Sequence, residues 1–138
     1  MRPVFLDTGY LVAVEAGDDQ HHSVAIEHWR QFLRNPSQLV TTSFVLDEVV
    51  TFFTSRGRHA KAVDLGRRLL SSPSVRLVHV DEDLLRAALE YLERRPDKRF
   101  SLTDCISFVL MGRLGLQQAL AFDVHFEQAG FTRLTSMK

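Results

Sequence analysis

Four acidic residues in this chain stand in surroundings that do not suit a solvated surface carboxylate, and together they define the chemistry open to it. Asp7 follows the apolar run Val4-Phe5-Leu6, and Asp123 follows Ala119-Leu120-Ala121-Phe122. Each reads as a buried strand that delivers one polar group to the edge of a sheet, although aspartate is also a good turn former or helix cap. Glu48 lies within Phe44-Val45-Leu46-Asp47-Glu48-Val49-Val50-Thr51-Phe52-Phe53, where an unpaired buried carboxylate is costly, so it needs a partner. Asp104 stands in the first turn of a helix, where favourable interaction with the helix dipole is a second explanation for it. Glu15, Glu27, Asp64, Glu90 and Glu93, by contrast, fall on faces that suit solvated acids.

Carboxylates gathered at one end of a parallel sheet repel one another unless a cation or shared protons compensate. The ligand atoms would all be oxygens, and no His or Cys spacing of the kind zinc takes is present, so the donor set favours Mg²⁺ or Mn²⁺. Such an ion activates water and neutralises the charge that develops on a phosphodiester under in-line attack. Phosphodiester hydrolysis is therefore the leading chemistry.

The elements that must bring these acids together can be read in order. Val4-Phe5-Leu6 is a first strand, and Asp7 or Thr8 can cap a short helix through Glu15 that Gly17 and Asp18-Asp19-Gln20 interrupt. His21 to Arg34 has Val24, Ala25, Ile26, Trp29, Phe32 and Leu33 at helical spacing, and Asn35-Pro36-Ser37 stops it. Leu39-Val40-Thr41 is a second strand; Thr42 or Ser43 can cap a helix from Phe44 to Thr54 that ends near Gly57. A fourth helix spans His59 to Leu70, and Val75 to Val80 is a third strand. Asp81 caps a helix that closes at Pro96, and Ser101 or Thr103 starts another that ends at Gly115. Ala119 to Phe122 is a fourth strand, a turn falls around Gly130, and Phe131 to Leu134 is strand-like again. Strands alternating with helices imply an α/β fold in which right-handed crossovers build a parallel sheet covered on both faces.

At 138 residues the chain has the size of one domain, read here as residues 1–138. Its composition, 45% hydrophobic and 25% charged, is that of a globular protein, with no apolar run able to cross a bilayer. The N-terminus lacks the basic, apolar and small-residue sequence of an export signal, and Cys105, the single cysteine, cannot form an internal disulfide. Both point to the cytoplasm. Seventeen basic and seventeen acidic residues give a formal charge of zero, which argues against strong non-specific attraction to nucleic acid and leaves local patches as the means of binding it. Two such patches are present, Arg56-Gly57-Arg58-His59-Ala60-Lys61 with Arg67-Arg68, and Arg94-Arg95 with Lys98-Arg99. Each reads mainly as a solvated helix face or loop.

Four blocks in order resemble the PIN domain nucleases and, within them, the VapC toxins of toxin–antitoxin pairs. They are Val4-Phe5-Leu6-Asp7-Thr8-Gly9-Tyr10-Leu11-Val12-Ala13, Thr42-Ser43-Phe44-Val45-Leu46-Asp47-Glu48-Val49, Ser101-Leu102-Thr103-Asp104-Cys105, and Ala121-Phe122-Asp123-Val124-His125-Phe126 with Gly130-Phe131. The resemblance implies a PIN-like α/β/α sandwich with a short, mostly parallel central sheet flanked by helices. It makes Asp7, Glu48, Asp104 and Asp123 the catalytic acids that hold Mg²⁺ or Mn²⁺, directly or through water, and Thr8 and Thr103 supporting hydroxyls. Asp47 is the rival to Glu48, about 100° round the helix. His125 matches a frequent family residue, with a packed or surface histidine as the other reading; His21 and His22 start a helix, and Cys105 is a packed residue. The implied activity is metal-dependent endoribonuclease cleavage of transfer, ribosomal or messenger RNA by a toxin, inhibited by a VapB-type antitoxin, in a homodimer. An antitoxin helix would lie in an apolar groove formed by the N-terminal region and the third helix.

Three other readings compete. Asp7-Thr8-Gly9 spells the aspartic protease motif, but the helix-rich remainder contradicts that all-β fold. A receiver domain needs a lysine at a later strand end, and Lys61, Lys98 and Lys138 do not sit at one. The third is a catalytically inactive PIN-like module that binds RNA or protein.

Overall fold

The computed structural model describes residues 2–135; Met1 and the last residues, Lys138 among them, lie outside the described part. Its elements in chain order are β1 (Val4–Leu6), α1 (Thr8–Glu15), α2 (His22–Arg34), β2 (Leu39–Thr42), α3 (Ser43–Ser55), α4 (His59–Ser71), β3 (Val75–Val78), α5 (Glu82–Glu93), α6 (Leu102–Leu114), β4 (Gln118–Leu120), α7 (His125–Gln128) and β5 (Thr132–Arg133). The strands form one sheet in the order β3-β2-β1-β4-β5, and every pairing is parallel. The chain therefore builds outward from β1 through β2 to β3, then returns to the other side of β1 with β4. The direction of winding reverses between β1 and β4, the place where an open α/β sheet leaves a crevice at its carboxyl edge.

Side chains of the central strands alternate between two cores, as the period of a strand requires. Val4, Leu6, Leu39 and Leu120 face one cluster with Tyr10, Trp29, Phe32 and Leu69, while Phe5, Val40 and Ala119 face another with residues of α3, α5, α6 and α7. Because both faces are covered, these strands read as continuous apolar runs. Helix starts follow the capping chemistry expected: Thr42 accepts from the Val45 N–H, Asp81 from Leu84 and Ser101 from Asp104. Gly57 and Gly115 end their helices at φ of 72° and 68°, in the left-handed region that an L side chain resists.

Three details differ from what the sequence led one to expect. The fourth strand stops at Leu120 rather than Phe122, because its partner β1 ends at Leu6, paired with Leu120, and nothing beyond continues the ladder. The stretch before Gly130 is not only a turn but contains α7, one helical turn fixed by Phe126, whose ring lies fully buried 5.0 Å from Phe108 and 6.1 Å from Phe5. β3 likewise ends at Val78, two residues short of Val80.

The buried Thr41 hydroxyl donates to the Leu6 carbonyl at 2.8 Å, tying β2 to the last residue of β1 before Asp7. Thr41→Val removes that donor and leaves the shape intact. It should lower unfolding free energy by about 1–2 kcal/mol in urea titrations; an unchanged midpoint would show that the bond does not hold the strand end.

Candidate active site

Asp7 leaves β1 in extended conformation, φ −94° and ψ 157°, and its N–H donates to the Leu120 carbonyl across the sheet at 3.1 Å. Although it occupies the N-cap position of α1, its side chain makes no capping bond, so the carboxylate is not used by the helix. It is 6% exposed. Its pKa is pushed up to about 7, first by burial, then by the charge of Asp104, with Asp123 and Glu48 adding to the rise and the Thr8 N–H opposing it. Glu48, Asp104 and Asp123 thus all lie close enough to Asp7 to act on it, although they come from α3, α6 and the segment after β4.

Each of the other three is fixed by a hydrogen bond. The Thr8 hydroxyl donates to Glu48 Oε1 at 2.6 Å, which gives this half-buried glutamate its partner, whereas Asp47 is exposed. Asp104 belongs to a capping box: its N–H donates to Ser101 Oγ and its Oδ2 accepts from the Ser101 N–H, both at 3.0 Å. The helix-terminus reading of Asp104 and the site reading are therefore both realised, since one carboxylate serves the cap and faces the cluster. Asp123 Oδ1 accepts from the His125 N–H at 2.9 Å. That bond starts the turn of α7 and brings the His125 ring over the acids, with Nδ1 3.0 Å from Asp104 Oδ2 and 3.3 Å from Asp123 Oδ1. Ligand atoms of Asp104, Asp123 and His125 all lie within 4.8 Å of one another.

The remaining residues singled out from the sequence sort clearly. No hydrogen bond joins the Thr103 hydroxyl to the acids among the described residues; it is the Thr103 carbonyl that accepts, from Ser107. His21 stacks on Phe122 at 4.5 Å, and His22 Nδ1 lies 2.8 Å from the Ala13 carbonyl, so neither joins the acid cluster. Cys105 is fully buried, and burial with the neighbouring Asp104 charge pushes its thiol up to about 11, which keeps it from acting as a thiolate nucleophile near neutral pH. An apolar groove of about 720 Å³ is lined by Leu11, Val14, Trp29, Phe32, Leu65 and Leu69, and so lies among α1, α2 and α4. On α3, Val45, Val49 and Phe53 are fully buried, while Phe44, Leu46, Val50 and Phe52 are partly buried against the two cores.

Two positioning residues escape a reading of the sequence. Beyond the end of β4 the carbonyls of Ala121 and Phe122 have lost their ladder, and side chains from the chain terminus take them up. The Thr135 hydroxyl donates to Ala121, and Arg133 Nη1 to Phe122 at 2.5 Å, while Arg133 Nη2 pairs with Glu127 at 3.1 Å. These bonds hold the segment that carries Asp123. No local pattern marks them, since a surface arginine in a short edge strand looks the same whatever it reaches.

The donor set fits a hard divalent cation: oxygen ligands held rigidly, with one buried carboxylate that cannot ionise at an ordinary pKa while its neighbours are charged. The PIN domain model matches residues 4–132. Proteins from two strains of Mycobacterium tuberculosis, both named 23S rRNA-specific endonuclease VapC20, are 34% identical over 131 residues, covering 95% of this chain and 97% of theirs. The crystal structure of M. tuberculosis VapC20, titled a Sarcin-Ricin loop cleaving toxin, matches with a TM-score of 0.85 and 33% identity over 94% of this chain and 96% of that one. A toxin–antitoxin complex from Klebsiella pneumoniae matches at TM-score 0.60 over 88% and 87% of the two chains; at 12% identity that likeness is one of fold alone.

In the metal-free protein the raised pKa makes Asp7 a source of pH-dependent instability. Between the unfolded value near 3.8 and about 7 the folded chain keeps a proton that the unfolded chain releases. Stability therefore falls as pH rises through that window, by about 1.4 kcal/mol per unit for this one group. Asp7→Asn should remove one proton's worth of slope and leave the variant more stable than the parent at pH 8, measured by urea unfolding in chelator. Equal slopes for the two proteins would refute the burial of a repelled carboxylate.

Proposed function

The chain belongs to the PIN domain family, and from that premise we propose that it is a divalent-metal-dependent endoribonuclease of the VapC type, the toxin of a toxin–antitoxin pair. The observation that carries this reading is the convergence on Asp7 of Glu48, Asp104 and Asp123, from three other parts of the chain, at the carboxyl edge of the sheet beside its switch point. Ribosomal RNA, which the VapC20 relatives are named for cutting, is the substrate we propose first. A catalytically inactive binding module would have no use for a set of acids whose mutual repulsion is retained.

Asp7 and Asp104 would hold Mg²⁺ or Mn²⁺ directly, with Glu48 and Asp123 bound directly or through water. When bound, the ion would supply an activated water and neutralise charge developing on the phosphodiester. The chain's own contribution is geometric. Thr8 fixes the Glu48 carboxylate, Ser101 fixes one oxygen of Asp104, and the His125 N–H fixes Asp123. These three donors are neutral hydroxyl or amide groups, so they orient the acids without neutralising them.

The competing enzyme classes disagree with the fold. An aspartic protease needs an all-β framework, and the strands here are parallel and covered by helices. A receiver domain has the strand order 2-1-3-4-5, whereas this sheet runs β3-β2-β1-β4-β5. The same proposal includes a VapB-type antitoxin as partner, with the apolar groove among α1, α2 and α4 as surface open to it, a homodimer, and a cytoplasmic location. Among the described residues no helix is long and apolar enough to cross a membrane.

Purified protein should cleave ribosomal RNA fragments in Mg²⁺ or Mn²⁺ and stop on addition of chelator. Asp7→Asn and Asp104→Asn should each reduce the rate by about a hundredfold or more, a loss typical of removing one electrostatic element from a preorganised site. Full activity in chelator, or in Asp7→Asn, would sink the metal-dependent mechanism.

A further inference from the structure

The two basic runs of the sequence are treated differently by the fold. In the first, most cations are engaged within the chain. Arg56 lies 3.7 Å from the Phe52 ring centroid and donates to the Phe52 carbonyl, and Arg58 lies over Phe53. Lys61 pairs with Glu15 at 2.7 Å, and Arg68 pairs with Glu15 and Asp64. The second run, in the loop from α5 to α6, sets Arg94, Arg95, Lys98 and Arg99 against one acid, Asp97, in a chain of zero formal charge. Arg95 is engaged there, 3.4 Å from the Tyr91 ring centroid with Nη1 on the Tyr91 carbonyl. Lys98 has only a loose pair with Asp97 at 3.6 Å, while Arg94 and Arg99 are exposed and make no ion pair among the described residues.

This loop is fastened to the acid site. Phe100 is buried with its ring 5.3 Å from that of His125, and the next residue, Ser101, exchanges hydrogen bonds with Asp104. Arg99 stands two residues before Ser101, a chain span of at most about 7 Å. Its flexible side chain, like that of Lys98, is therefore free to act within about a Debye length of the acids at physiological ionic strength, where attraction is only partly screened. The charge balance gives this position a purpose. An RNA strand that brings one phosphate to a cluster of carboxylates brings neighbouring phosphates beside it, and those are repelled unless cations stand at the rim.

We propose that Arg94, Lys98 and Arg99 form a docking rim for the RNA backbone, binding phosphates that flank the one to be cut. This rests on the ribonuclease reading above and adds to it a place where the strand lies. Contacts of this kind supply affinity and orientation and carry no base sequence, so the rim positions substrate without selecting it. Chain neutrality is then no obstacle to RNA binding, because the cations that matter are exposed ones that the fold leaves unpaired or only loosely paired.

The test is a Lys98→Ala/Arg99→Ala double variant and a single Arg99→Glu, compared with the parent on a fluorescent RNA hairpin. Binding is followed by anisotropy at several salt concentrations, and cleavage is followed in Mg²⁺ or Mn²⁺. Loss of two phosphate contacts should reduce the slope of log affinity against log salt by about one to two, with Arg99→Glu weakening binding further than removal of a single charge. KM should rise several-fold while kcat at saturating RNA and Mn²⁺ affinity stay within about twofold, because the acids are untouched. Arg67→Ala, an exposed α4 position with no ion pair among the described residues, is the control and should leave both slope and KM unchanged. An unaltered salt slope and KM in the double variant would overturn the rim with the ribonuclease reading intact. RNA that binds with the expected slopes and is never cut by the parent protein would instead overturn the ribonuclease reading and leave the rim.

Discussion

Repulsion among carboxylates is the constraint around which the rest of this structure is arranged. Asp7 is buried among charges of its own sign, and its affinity for a proton rises accordingly. A chain left to relax would move these groups apart or solvate them. Here each is held by a short hydrogen bond from a donor that is itself part of a structural element: a helix cap for Asp104, the first residue of α1 for Glu48, the turn of α7 for Asp123. Stability is given up locally to hold these acids together, and the two apolar cores supply the stability that makes this tolerable.

The parallel sheet decides where such a cluster can exist. β1 is central and buried on both faces, so it can present a polar group only where it ends, and its end coincides with the reversal of winding. Tyr10 continues the same logic one helical turn on. It is fully buried, with its hydroxyl 2.7 Å from His28 Nδ1 and its ring stacked on Phe122 at 5.7 Å. The residue before Asp123 is thereby packed from the side of α1 while Arg133 holds its carbonyl from β5. The acid contributed late in the sequence is supported by elements from both ends of the chain.

Much of this was legible in the sequence, for physical reasons that also explain what was not. Apolar runs of three residues gave β1 and most of β2, the longer run Val75 to Val80 gave β3 with two residues too many, and hydroxyl or carboxylate caps gave the starts of α3, α5 and α6 to within a residue. Those signals are local. The extra residues assigned to the fourth strand are apolar and strand-like, but a strand needs a neighbour, and whether one is present is a tertiary fact. α7 is too short to show a helical period, so only Asp123 two residues before His125 hinted at its turn. Thr103 resembled Thr8 as a hydroxyl beside an acid, yet one donates to the cluster and the other does not, which adjacency in sequence cannot distinguish. An apolar groove was expected from the N-terminal region and α3; one is open among α1, α2 and α4, where Trp29 and Phe32 are partly buried.

The clasp made by Arg133 and Thr135 has a consequence in time. On the ribosome, Asp7 emerges first, and Glu48 and Asp104 follow, but β4, the strand beside β1 on the far side, is among the last elements to be synthesised. The side chains that secure the Asp123 segment come later still. A nascent chain lacking its final stretch therefore has most of the acids and no assembled site. Order of synthesis alone keeps the cluster incomplete until the segment through Thr135 has left the tunnel.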